Sequence, residues 1–136
     1  MGSGNAFVDA SFPADESSLY WPNDKSEAVQ VLKQKCDHWE RPKGLVEGST
    51  AGLDLYGSYG IVPIISKDGA AQDDWILASA AALAEKPELI RDVIVNDAYS
   101  NEGIFQFQFY VKGERVKVVI DDFLPVGAGG SPANAR

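Results

Sequence analysis

The strongest periodicity in the chain runs through residues 104–124. Phe105, Phe107, Phe109 and Val111 alternate with Gln106, Gln108 and Tyr110, the two-residue period of a strand with one buried face. Lys112, Gly113 and Glu114 turn the chain, and Val116, Val118 and Ile120 alternate on the return. The pattern predicts a β-hairpin. Asp121 and Asp122 end its second strand and read as a solvated strand end, because adjacent strand residues point to opposite faces and do not form a metal pair.

A helical pattern precedes it. Trp75, Ile76, Leu77, Ala78, Ala80, Ala81, Ala82, Leu83 and Ala84 are apolar almost all round, which predicts a helix buried in the core. Asp73 or Asp74 supplies an N-cap. Pro87 suits the first turn of a following helix, through about Val95, with Leu89, Ile90, Val93 and Ile94 apolar. Upstream, Ser26 caps a short helix reaching about Cys36, with Ala28, Val31, Leu32 and Cys36 near one face.

Between these elements the pattern breaks. Residues 7–24 are interrupted by Pro13 and Pro22 and read as irregular chain pinned by Phe7, Phe12, Leu19, Tyr20 and Trp21. Residues 38–45 read as extended around Pro42, and residues 59–65 as a short strand closed by the turn Lys67-Asp68-Gly69. Three regions result: a flexible N-terminus (1–6), one folded unit (7–125) and a flexible tail (126–136) without hydrophobic periodicity. The fold class is mixed α/β (α+β): a central helix, flanking helices and a small antiparallel sheet.

Composition narrows the function. A chain of 136 residues with 45% hydrophobic content is the size of one domain with a real core. Its net charge of −8 opposes binding to nucleic acid or anionic membrane. No apolar run approaches the roughly 20 residues of a membrane span. A single cysteine, Cys36, and the absence of a secretory signal pattern point to an intracellular, cytoplasmic setting. At the N-terminus Gly2 is a candidate myristoylation site, although Ala6 stands where the acceptor motif wants Ser or Thr. The competing reading of residues 1–6 is a linker or cloning remnant, and one acyl chain alone anchors only marginally.

Candidate chemistry concentrates in residues 67–83, where a loop runs into the start of a buried helix. Unpaired N–H groups and the helix dipole favour negative charge at such a junction. Here it carries Asp73 and Asp74. His38, the sole histidine, reads as a surface or hydrogen-bonded residue beside Trp39, and Cys36 as a small packing residue.

Several blocks, in order, resemble the first subdomain of the calpain protease core. F-V-D-A-S-F-P-A-D-E-S-S-L-Y-W (7–21) resembles the opening block, and W-E-R-P-K-G-L (39–45) the segment W-x-R-P-K-E-[IL]. D-D-W-I-L-A (73–78) falls where the family has D-C-W-[LFI]-L-A. Residues 85–91 and 103–125 match the helix and hairpin that follow.

Departures from that pattern carry the functional expectation. The family loop Q-G-x-x-G-D-C-W places a nucleophilic Cys before the Trp and an oxyanion-hole Gln at its start. This chain reads D-G-A-A-Q-D-D-W from Asp68 to Trp75. The resemblance therefore puts Asp74 at the nucleophile position and Asp68 at the oxyanion position, with Gln72 replacing a family glycine. A thiolate attacks an amide; a carboxylate would have to expel a far poorer leaving group than itself. Losing one oxyanion donor costs about 3–4 kcal/mol, and an anion there costs more. The family's His and Asn belong to a second subdomain, which would begin after Pro125. The family's calcium site needs an Asp where Ile65 stands and a second acid beyond residue 136, so no calcium is expected at the family site and no other metal or cofactor is implied. Gly60 would remain as a turn.

The expectation is a catalytically inactive calpain-like regulatory, scaffold or interaction module, not an enzyme, with a protein partner at Asp68, Asp73, Asp74 and Trp75. Small calpain-related proteins with degenerate triads are often tied to cytoskeleton or membrane. One alternative is a membrane- or cytoskeleton-associated module anchored through acylated Gly2. Another is a residual calcium-dependent cysteine endopeptidase fragment, or acid/base or metal chemistry at the three aspartates.

Overall fold

The computed structural model describes residues 6–45, 53–64 and 74–130. After a 3-10 turn at Glu16–Ser18 come α1 (Glu27–Lys35), β1 (His38–Glu40), α2 (Pro42–Leu45), α3 (Asp74–Ala84), α4 (Pro87–Val93), β2 (Phe105–Val111), β3 (Glu114–Ile120) and β4 (Leu124–Val126). This is a mixed α+β fold with two small antiparallel sheets, β1–β4 and β2–β3.

α1 begins as expected. The Ser26 hydroxyl accepts from the Val29 N–H at 3.4 Å, with Glu27 in the first turn and Lys33 and Lys35 in the last, charges that suit the helix dipole. Its buried stripe is Val29 and Leu32, whereas Val31 is exposed. Pro42 starts the short helix α2, so the expected extended run ends at β1; proline's fixed φ fits a first helical position, where its missing N–H is no loss. Residues 59–64 form local turns and no strand. Gly57 and Gly60 have positive φ, the Gly60 N–H bonds back to the Gly57 carbonyl, and the Ile64 N–H to that of Val62. Ile65 lies outside the described residues. Of the apolar residues expected to pin 7–24, Phe7, Leu19 and Tyr20 are half-buried, while Phe12 and Trp21 are exposed.

α3 packs on α4. It is more open than its apolar sequence predicts: Ala84 is buried, Leu77, Ala80, Ala81 and Leu83 are half-buried, and Trp75 and Ile76 are exposed. α4 covers one side of it, and apolar composition alone does not supply a second layer. Pro87 opens α4, and the Ile94 N–H closes it on the Ile90 carbonyl.

The helices are stitched to the hairpin through residues 94–96. Ile94 bridges to Phe107, the Val95 N–H donates to the Gln106 carbonyl at 2.9 Å, and the Asn96 amide takes the Gln106 N–H while donating to the Ile104 carbonyl. In the hairpin Phe105 pairs with Ile120, Phe107 with Val118 and Phe109 with Val116. Lys112 and Gly113 both take positive φ (53° and 84°), as a two-residue hairpin loop requires. The apolar face is half-buried at Phe105 and Phe107 and exposed at Phe109, Val111, Val116 and Val118. Alternation correctly marks which residues share a face, but burial fades away from the helices that cover the hairpin's base.

β4 runs through Val126, the residue at which the tail was expected to start. β4 pairs His38 with Val126, Trp39 with Pro125 and Glu40 with Leu124, and Val126 is 0% exposed. A three-residue strand is too short to leave a period for sequence reading.

Candidate functional site

Asp74 is the first residue of α3 and is exposed. Trp75 follows at 74% exposure, and its carbonyl accepts from the Ser79 hydroxyl at 2.8 Å. Asp74 and Trp75 are consecutive exposed residues at the open start of α3. Asp68, Asp73 and Gly2 lie outside the described residues. A carboxylate at this helix start is favoured by the dipole, and as an acceptor it can bind cations or hydrogen-bond donors. Gly60 occupies a turn at φ 69°.

Cys36 and His38 do not form a nucleophile–base pair. The Cys36 thiol reaches the His38 main-chain carbonyl, at 3.9 Å. The imidazole is held between carboxylates, Nδ1 at 3.1 Å from Asp37 and Nε2 at 3.2 Å from Glu40. Those two hydrogen bonds, Glu40 first, raise the His38 pKa above its ordinary value. Burial, with smaller effects from Asp37 and Glu16, raises the Cys36 thiol pKa and outweighs a hydrogen bond from the chain near Val126. A thiol held protonated is a poor nucleophile.

The expected solvated strand end at Asp121 and Asp122 is corrected: both are buried. The Asp122 carboxylate pairs with the Arg41 guanidinium on one oxygen and accepts from the Tyr99 hydroxyl at 2.6 Å on the other. Arg41 also donates to the Phe7 carbonyl and lies 4.2 Å over the Phe123 ring. Asp121 accepts from the Asp9 N–H at 2.8 Å and the Phe123 N–H at 3.2 Å. Burial, then the bond to Asp122, pushes the Tyr99 pKa up. The Asp9 carboxylate accepts from the Ser11 hydroxyl and N–H, which lowers its pKa. Gly103, at φ 68°, packs against the ion pair, and a Cβ there would collide with Arg41 and Asp122. This cluster ties residues 7–9, the end of β1, residue 99 and the end of β3 into one unit. Sequence reading missed it. The available signal was two acids closing an apolar strand: carboxylates so placed need a cation or several donors once buried, and Arg41 stood in the W-E-R-P block.

Asp74 thus differs in kind from Asp121 and Asp122. Asp121 and Asp122 are spent on structure. Asp74 faces solvent at the only described part of the loop–helix junction.

Residues 7–133 match the family described as calpain family cysteine protease. The chain is 34% identical over 131 residues to the calpain-type cysteine protease ADL1 of Oryza sativa subsp. japonica, covering 95% of this chain and 6% of that one. It is 31% identical over 128 residues to calpain-13 of Rattus norvegicus, 93% of this chain and 18% of the relative. With the calpain-2 catalytic subunit of Bos taurus it shares 34% identity over 138 residues, 95% of this chain and 18% of the relative. The chain spans less than a fifth of the length of these relatives. The match extends through the buried cluster, α3 and both sheets, and on it the chain belongs to the calpain family of cysteine proteases.

Proposed function

We propose that this chain is a catalytically inactive calpain-like module that acts in regulation, scaffolding or protein interaction inside the cell. One observation carries the reading: where the family resemblance puts the nucleophilic thiol, α3 begins with the exposed carboxylate of Asp74.

An aspartate attacking an amide forms a mixed anhydride while the amine, a much poorer leaving group, would have to depart; the tetrahedral adduct therefore reverts. Asp68 at the oxyanion position adds an anion where negative charge must develop, and a preorganised donor there contributes about 3–4 kcal/mol in enzymes that use one. The other two groups that could rescue thiol chemistry are otherwise engaged, the Cys36 thiol being kept protonated and the His38 ring held by Asp37 and Glu40.

Calcium regulation of the family kind does not fit the donors present. Ile65 offers no side-chain oxygen at the carboxylate position, and a calcium site gathers six to eight oxygens. The open Asp74–Trp75 surface instead suits a protein partner: a large exposed aromatic beside a charge is a common anchor in interfaces. Incubation with casein and calcium is the test. The reading predicts no fragments, and measurable turnover abolished by Asp74→Ala overturns it.

A further inference from the structure

Among the described residues the outer edge of β3 has no strand partner, and its chemistry specifies what fits there. Both the N–H and the carbonyl of Gln106 are turned away from β3, toward Asn96 and Val95. Gln106 pairs with Val119, so in an antiparallel ladder this is a non-hydrogen-bonded pair and Val119 must turn its own N–H and carbonyl outward. The two-residue alternation extends this to Lys117 and Arg115, the partners of Gln108 and Tyr110. Among the described residues nothing pairs with that outer edge, and every residue from 114 to 119 is exposed.

The edge presents two different faces. On one, Val116 and Val118 continue the apolar row of Phe107 and Phe109. On the other stand Arg115 and Lys117, beside Tyr110. Arg115 is held in place there, donating from Nη2 to the Tyr110 hydroxyl at 3.0 Å and from Nε at 3.3 Å. With Lys112 in the turn, the hairpin tip carries three cations against Glu114, on a chain whose net charge is −8.

We propose that the outer edge of β3 binds an extended acidic peptide segment of a partner protein by adding it as a third antiparallel strand. The segment alternates carboxylate and β-branched residues. Its carboxylates lie across from Arg115 and Lys117, its apolar side chains lie across from Val116 and Val118, and its backbone takes the outward groups of Arg115, Lys117 and Val119. Strand addition of this kind draws affinity from main-chain bonds and selectivity from alternate side chains. A second copy of this chain fits worse. Symmetric pairing centred on Lys117 sets two ammonium groups opposite each other, and pairing centred on Val116 sets Arg115 opposite Lys117; like charges so placed destabilise a sheet. Pairing centred on Val118 calls on Asp121, which is already held inside the fold. The inference stands on the hairpin alone, whatever the chemistry at Asp74.

The test is a titration of the intact, isotope-labelled chain with the capped peptide Glu-Val-Glu-Val-Glu-Val-Glu, followed through backbone amide resonances. Saturable binding with Kd below about 1 mM is expected, with shifts and slowed exchange concentrated at Arg115, Lys117 and Val119. Lys117→Glu should weaken it at least about tenfold and confer binding of the Lys-Val counterpart. Lys117→Pro removes an outward N–H that the hairpin does not use, so it should abolish binding; if that variant misfolds, Arg115→Glu replaces it, with the same about tenfold loss expected. No saturation, equal binding of the Lys-Val peptide by the unaltered chain, shifts centred on α3, or a concentration-dependent dimer through β3 would each overturn the proposal.

Discussion

The aspartates that close β3 and the aspartate that opens α3 sit at the ends of secondary elements in opposite surroundings. At the end of β3, Asp121 and Asp122 are drawn inward and every bond they make is structural. At the start of α3, Asp74 meets solvent beside an exposed tryptophan. The residue type is the same; burial and partners decide whether it holds the fold or leaves a surface. Asp121 and Asp122 are engaged in holding the fold, whereas the Asp74 carboxylate is left on the surface, so under the proposed function the scaffold would keep the first while the second is open to change.

The largest expected effect disturbs the aspartates that close β3. Asp122→Ala strands the Arg41 guanidinium, four-fifths buried, and removing one partner of a buried ion pair costs about 3–5 kcal/mol. The midpoint of urea unfolding should fall accordingly, and a loss under about 1 kcal/mol would mean the cluster is not structural. Next comes Val126→Ala at the fully buried end of β4, expected to cost about 2 kcal/mol from two lost methyl groups and the cavity left behind. Asp74→Ala, by contrast, should change stability by less than about 0.5 kcal/mol, the range for exposed positions without special partners. A loss equal to that of Asp122→Ala would erase the comparison.

The smallest effect is a pH dependence at β1. The folded state raises the His38 pKa, so its contribution is fully present below the ordinary histidine value of about 6.5. It is lost as pH rises through the folded value, somewhat above that. His38→Gln should flatten unfolding midpoints across this window, and an unchanged pH profile would show that Glu40 and Asp37 do not hold the ring in solution.

How far the sequence could be read depended on the length of each signal. The hairpin, α4 and the Ser26 cap were legible because they rest on sustained alternation, a proline at a helix start and a local hydroxyl–amide bond. The strand expected at residues 59–65 was not realised over its described part, since left-handed Gly57 and Gly60 turn the chain just before and inside that region. Residue 65 of that expectation, like Asp68 and Asp73, lies outside the described residues. Burial was the least legible property: the sequence marks Phe109 and Val116 as sharing a face, but not whether a layer exists to cover it. The Arg41–Asp122 pair spans 81 positions, and no local pattern announces a contact at that separation.

In the proposed inactive module the helix start at Asp74 does not attack a carbonyl. The most direct test is intact-mass and peptide-mapping analysis after exposure to an electrophilic peptide inhibitor of cysteine proteases, with calcium, at neutral pH. No adduct near Asp74 is expected, and only slow modification of Cys36, whose thiol burial keeps protonated. A stoichiometric adduct mapped to the peptide carrying Asp74 and Trp75 would contradict it.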